Sequence, residues 1–312
     1  MAARRHLGIA IGAALLSLLG CSTPGGSGGA PTSATANAPA GTPVVSADGA
    51  ARRDVSQRFL LWQEGNMAGT TNYTSNTGGY TDDPSFRPFL TSYPVPAGTA
   101  VKGAVMLSSG GAFAFRNDEI EANPVARELS RLGYQAFVVD YRIRPYTAAE
   151  GALDLARAVR FVRAHADAYG VHANDIAVMG FSAGGIMSGE MLLNYDGTVT
   201  GAALDSRYRP DALDRVSADA GAAAMIYSFY GGLAVASTDV AKLAAGGLPP
   251  TYFSYGTQDP YVSQFEANIA AVRAAGVRVE TNVLNGMAHG YGALGDWIPN
   301  FDTWLTAVFE TK

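Results

Sequence analysis

Apolar and polar positions along this chain switch repeatedly between two periods. Val101 to Leu107 (VKGAVML), Tyr134 to Tyr141 (YQAFVVDY) and Asp175 to Met179 (DIAVM) are short apolar runs with the length and side-chain content of buried strands. Ala224 to Phe229, Thr251 to Tyr255 and Val277 to Leu284 read the same way. Between these runs the apolar residues recur at helical spacing. Asn123 to Leu132 sets Val125, Leu129 and Leu132 on one side. Thr147-Ala148-Ala149-Glu150 is a capping box, and it opens a helix that carries Leu155, Val159, Val162 and Ala166 on one stripe. A Gly-rich turn after Met179 leads into a helix toward Leu193, Phe265 to Ala275 is helical, and Trp297 to Phe309 closes the chain as a helix. Strands alternating with helices predict an α/β fold with a mostly parallel central sheet and helices on both faces. Tyr195 to Ala222 reads as a polar loop and Gly231 to Pro250 as a short Ala- and Gly-rich connection, so little or no lid is expected.

The first 50 residues follow neither period. Arg4 and Arg5 precede an apolar run from Leu7 to Leu19, too short to span a bilayer but suited to a signal-peptide core. It ends in Leu18-Leu19-Gly20-Cys21, which resembles the lipobox of bacterial lipoproteins. That resemblance implies cleavage before Cys21 and lipidation of its thiol. Several acyl chains, at about 0.8 kcal/mol per buried methylene, anchor a protein stably where one does not. The stretch that follows is dominated by Gly, Ser, Thr, Pro and Ala and cannot bury enough apolar surface to offset its ordering entropy. The expected organisation is a signal over 1–20, a lipidated cysteine and tether over 21–50, and one α/β domain over 51–312. Export to the cell envelope, with membrane attachment through Cys21, follows from that reading.

Composition narrows the partners. With 22 Lys and Arg against 27 Asp and Glu the net charge is −5, which supplies no field for a phosphate backbone, so nucleic acid is not expected. A single cysteine excludes an intrachain disulfide framework and any Cys-rich zinc site.

The sharpest chemical signal is Gly180-Phe181-Ser182-Ala183-Gly184, a G-x-S-x-G run between a predicted strand and a predicted helix. A sharp strand-to-helix turn lifts the Ser182 hydroxyl out of the sheet, and the helix N-terminus behind it favours negative charge. A purely structural glycine turn is the alternative. A serine needs a base. Among four histidines, His6 lies in the signal, His165 in the amphipathic helix and His172 at the far end of a strand. His289, in the loop after the last strand, suits the role. The orienting acid belongs after the penultimate strand, where Asp259 stands; Asp296 competes but follows the histidine. Backbone amides for an oxyanion are expected from Ala183 and from Ser108-Ser109-Gly110-Gly111-Ala112-Phe113 after the strand that ends at Leu107.

These motifs resemble the α/β-hydrolase esterases, and within them the acetyl-esterase and acetyl-xylan-esterase-like group that includes feruloyl-esterase-type members. The resemblance covers about residues 58–308. It rests on the elbow Val178 to Gly185, on Leu61-Trp62-Gln63-Glu64-Gly65-Asn66-Met67-Ala68-Gly69, on Asp140-Tyr141-Arg142, on the Leu153 to Arg163 helix, on Gly256 to Val262 and on His289-Gly290-Tyr291-Gly292. It implies an α/β-hydrolase fold, with Ser182 as nucleophile, Asp259 as acid, His289 as base, Gly110, Gly111 and Ala183 at the oxyanion hole, and no metal or cofactor. Two departures bear on substrate. The group's Pro-Gly-Gly-Gly-Tyr loop is Ser109-Gly110-Gly111-Ala112-Phe113 here, and the Pro of its Leu-Trp-Pro motif is Gln63. Phe113, Phe181 and Tyr291 are candidates to line the substrate site. The expected reaction is hydrolysis of short-chain carboxylic esters, with a small-molecule or carbohydrate ester as partner. Alternatives are an exopeptidase-like or lipid-directed serine hydrolase, or a non-catalytic envelope protein on the same fold.

Overall fold

The computed structural model describes residues 44–45 and 50–311. The predicted signal, Cys21 and most of the tether lie outside the described residues. In chain order the elements are β1 (Val44–Val45), β2 (Arg58–Leu60), β3 (Phe89–Tyr93), β4 (Gly103–Ser108), α1 (Ala122–Arg131), β5 (Tyr134–Asp140), α2 (Ala148–Ala164), α3 (Ala166–Tyr169), β6 (Ile176–Phe181) and α4 (Ala183–Asn194). After two 3₁₀ turns come β7 (Ala222–Ile226), the hairpin strands β8 (Gly231–Gly232) and β9 (Val235–Ala236), α5 (Val240–Ala245), β10 (Thr251–Gly256), α6 (Val262–Ala274), β11 (Val279–Leu284) and α7 (Trp297–Glu310).

The six apolar runs read as strands become β4, β5, β6, β7, β10 and β11, which are mutually parallel in one sheet of order β1-β2-β3-β5-β4-β6-β7-β10-β11. Every residue of β4, β5, β6, β7 and β10 is buried, as expected for strands covered on both faces. At one edge, β3 pairs antiparallel with both β2 and β5. This antiparallel edge is absent from the sequence reading, because β2 is three residues long and β3, Phe-Leu-Thr-Ser-Tyr, mixes apolar with polar positions.

The chain steps from β4 to β5 in one direction and back across β4 to β6 in the other. Right-handed crossovers therefore put α1 and α2 on opposite faces. The steps from β6 to β7 and from β10 to β11 run the same way, so α4 and α6 share the face of α2, while α7 packs with α1. The loops that leave the neighbouring strands β4 and β6 thus diverge to opposite faces and open a crevice between them, where ligands settle in parallel sheets.

Helix α2 carries the predicted capping box, with Glu150 Oε2 accepting from the Thr147 amide at 2.7 Å. It ends at Ala164. Ala166, predicted on the same stripe, opens the separate helix α3 after a break at His165, whose ring rests on Phe161 with a centroid separation of 4.3 Å. The far side of α2 is covered by the segment between α4 and β7. Arg157 binds Asp211 and Asp214, Arg160 donates to the carbonyls of Gly197, Val199 and Val216, and Arg163 to those of Ser217 and Asp219. The resemblance motifs before and after β5 meet here as well. Trp62 Nε1 donates to Asp154 at 2.7 Å, and the buried Arg142 grips the same carboxylate through Nε and Nη2, each at 2.9 Å.

Candidate active site

Register sets the site. Ser108, the last residue of β4, pairs with Gly180 in β6, and Gly256, the last of β10, pairs with Leu284, the last of β11. The loops that carry Ser109 to Phe113, Ser182, Asp259 and His289 therefore all leave the same end of the sheet. Ser182 sits between β6 and α4 at φ 49°, a left-handed conformation that an L-residue holds only under tertiary constraint. Two contacts supply that constraint. The Ser182 amide donates to Ile226 at 3.0 Å, and the Ser228 hydroxyl donates to the Ser182 carbonyl at 2.6 Å. Gly184 is required because a Cβ there would overlap the carbonyl oxygens of Ser108 and Ser109.

The three residues singled out along 107 positions of chain lie in one hydrogen-bonded line. Ser182 Oγ is 2.8 Å from His289 Nε2, and His289 Nδ1 is 2.7 Å from Asp259 Oδ2. The Asp259 side chain is fully buried, whereas that of His289 keeps 23% exposure. Because the carboxylate can only accept, Nδ1 carries the proton and the Nε2 lone pair faces the serine. The imidazole is held between Tyr227 and Tyr261, with ring centroids at 5.0 and 5.7 Å. Asp296, the competing acid, stands instead at the start of α7. His165 and His172 lie elsewhere, the latter exposed beside Asp175.

The loop after β4 is pinned through its carbonyls. Ser109 O accepts from the Tyr141 hydroxyl, Gly110 O from the Asn117 amide, Gly111 O from the Ala114 and Phe115 amides, and Phe113 O from the Arg144 amide. In a trans peptide the next N–H points opposite to the bound carbonyl. The amides of Gly111, Ala112 and Ala183 find no protein acceptor among the described residues. Gly110 departs from its expected role: its N–H is already given to Glu121 Oε2 at 2.6 Å, so it is not free for a substrate oxygen. Ala112 replaces it as an available donor. This alanine adopts φ 53° and Phe113 φ 58°, so the loop keeps a glycine-like backbone without the third glycine.

Of the aromatic candidates, Phe113 alone stays on a cavity wall. It lines a space of about 170 Å³ with Ile143, Arg144, Tyr146 and Met187, to which Ser182, Asp259 and His289 contribute no wall. Phe181 is fully buried against Tyr227 and Trp297, since strand alternation turns it away from the side that Ser182 faces. Tyr291 is buried too. Its ring lies 4.6 Å from that of Tyr227 and its hydroxyl donates to Ser254 Oγ at 2.7 Å, so both residues support the site from below rather than line it.

The sequence reading missed Glu121 and Tyr227. Glu121, 3% exposed at the start of α1, accepts from Gly110 N–H and, through Oε1, from the Tyr227 hydroxyl at 3.0 Å. Burial pushes its carboxyl up to about 7, against the pull of these two hydrogen bonds and of nearby His289. Among the described residues no group of three or more His, Cys, Asp or Glu side chains is arranged to hold a metal ion.

The profile of the alpha/beta hydrolase fold family matches residues 105–293, which takes in the elbow, Asp259 and His289. The chain belongs to this alpha/beta hydrolase family. Among its relatives, a probable carboxylic ester hydrolase, LipM, of Mycobacterium tuberculosis is 36% identical over 80 residues, 25% of this chain and 19% of that protein. An acetylxylan esterase of Xylanibacter ruminicola is 31% identical over 93 residues, 30% of this chain and 18% of the relative, so the matches span less than a fifth of either relative. In three dimensions the chain resembles an acetyl ester-xyloside bifunctional hydrolase from Caldicellulosiruptor lactoaceticus with a TM-score of 0.63 and 22% identity, over 82% of this chain and 97% of that one. A thermophilic esterase of Thermogutta terrifontis superposes with a TM-score of 0.57 and 20% identity, over 77% and 94%.

Proposed function

We propose that the protein is a serine esterase that hydrolyses short-chain carboxylic esters, with acetyl groups on carbohydrate or small alcohols as the preferred class. The observation that carries this is the unbroken line from Ser182 Oγ through His289 to the buried Asp259. Ser182 attacks the ester carbonyl as its proton passes to His289 Nε2. The imidazolium so formed is stabilised by Asp259, and the carbonyl oxygen gains negative charge beside the unpaired amides of Gly111, Ala112 and Ala183. Collapse breaks the ester C–O bond, His289 returns the proton to the leaving alcohol, and the acyl group remains on Ser182. Water, deprotonated by His289, then releases the acid and restores the serine. The names of the relatives, a carboxylic ester hydrolase and an acetylxylan esterase, support the ester as the bond and acetyl as the acyl group.

Residues 22–312 are expected to cleave nitrophenyl acetate, and Ser182→Ala to abolish it; full activity in the variant overturns the assignment. Acetate release from acetylated xylan, measured against aryl acetates, decides the alcohol. We further propose envelope anchoring through Cys21. Among the described residues no helix is long and apolar enough to cross a membrane. Cys21→Ser should move the expressed protein from membrane to soluble fractions, and unchanged membrane association would rule the anchor out.

A further inference from the structure

Glu121 ties together two parts of the site, the loop at Gly110 and the end of β7 at Tyr227. It stands at the start of α1, on the face opposite α4, yet each carboxylate oxygen reaches a different loop. Oε2 takes the amide of Gly110, the residue before the unpaired donors Gly111 and Ala112, and Oε1 takes the hydroxyl of Tyr227, whose ring walls His289. Gly110 leaves no slack between them. A Cβ on it would sit 2.8 Å from Ser182 Cβ and 3.2 Å from Glu121 Oε2, so carboxylate and nucleophile are separated by one glycine. Both oxygens accept, Oε2 from an amide that can only donate and Oε1 from a hydroxyl that is able to donate or accept.

We propose that Glu121 is a positioning residue for the Ser182 reaction: its carboxylate fixes the peptide that aims the oxyanion-binding amides and holds the Tyr227 wall of His289, so that it governs kcat more than KM. The proposal rests on the serine-hydrolase reading of the site. Transition-state donors act only if already aimed, which is why a peptide pinned on both sides matters to the rate and little to ground-state binding. The titratable groups around Glu121 are His289 from the loop after β11, Tyr227 from the loop after β7, Tyr141 from the segment after β5 and Asp118 on its own turn, the last facing Arg116. Burial raises the carboxyl to about 7, so its ionisation falls within the working range of pH and gives the test a signature that a packing role lacks.

Two variants separate geometry from charge. Glu121→Ala loses both bonds, and is expected to lower kcat on nitrophenyl acetate about 10- to 100-fold with KM within about threefold. Glu121→Gln can keep both, with its carbonyl on Gly110 N–H and its amide donating to the Tyr227 oxygen. It should hold kcat within about fivefold while changing the acid side of the kcat–pH profile, because the carboxyl is gone. Labelling of Ser182 by a fluorophosphonate, which needs no ester, should slow in parallel with kcat. A folded Glu121→Gln with wild-type kcat, wild-type labelling and an identical pH profile overturns the proposal, whether or not Glu121→Ala folds. Wild-type protein that labels but cleaves no ester overturns the ester assignment instead, and leaves the Glu121 comparison to be read from labelling. Wild-type protein that does neither removes the serine-hydrolase reading and this proposal with it.

Discussion

Asp259 is fully buried and His289 is not, and the 2.7 Å hydrogen bond between them decides which imidazole nitrogen faces the serine. An aspartate oxygen accepts only, whereas an asparagine can turn its amide toward Nδ1 and demand the other tautomer. Asp259→Asn should therefore leave the fold intact and lower kcat roughly 10³- to 10⁴-fold. Steady-state rates beside an unchanged circular dichroism spectrum check this; a loss under tenfold would deny Asp259 its orienting role.

The elbow tolerates no side chain at its fifth position. A Cβ on Gly184 meets two backbone carbonyls, which cannot swing aside as a side chain would. Gly184→Ala is expected to destabilise the protein by about 1–3 kcal/mol through overpacking and to displace Ser182. Thermal melting and fluorophosphonate labelling should both fall. A variant that melts and labels as wild type does would show that the elbow has room.

Arg142 and Asp154 form a buried pair, 1% and 0% exposed. Burial raises the Asp154 carboxyl even against the pull of Arg142. Arg142→Ala strands that carboxylate, with Trp62 as its one remaining side-chain donor, and should cost about 3–5 kcal/mol in urea unfolding at neutral pH. The penalty should shrink toward acid, where Asp154 takes up a proton. An equal penalty at both pH values would assign the loss to packing alone.

Glu121 also predicts how stability changes with pH. Its carboxyl is raised from an ordinary 4.5 to about 7 on folding, so the folded state holds a proton that the unfolded chain has released. The stability this contributes is fully present below about 4.5 and is lost as pH rises through about 7. Glutamine does not titrate. The difference in unfolding free energy between wild type and Glu121→Gln should therefore move in favour of the variant across that window and level off above it. A difference that stays flat from pH 4 to 8 would show that the carboxyl is not perturbed.

Much of this architecture is legible in the amino-acid sequence. The central strands announce themselves because strands buried on both faces must be nearly continuous apolar runs. Ser182, Asp259 and His289 can be picked out because each follows a strand whose end the apolar pattern fixes. The same logic fails where contact, not period, defines the role. Glu121 is a single carboxylate ahead of an apolar helix, and nothing in its neighbours says that it reaches Gly110 and Tyr227. Its one local sign is its place at the mouth of α1, with Pro124 in the first turn. Phe181 was open to correction from alternation alone, since adjacent strand residues face opposite ways. Gly110 was not, because only the position of Glu121 shows that its amide is already taken.

The carbonyl-pinned loop after β4 separates what must be kept from what can drift. Its donors are main-chain amides, fixed by Tyr141, Asn117 and Arg144, so at 112 and 113 residues that accept a positive φ can be exchanged without moving them. On the proposed esterase reading, an engineer seeking new acyl or alcohol selectivity would vary these two positions first, leaving the proposed oxyanion donors in place.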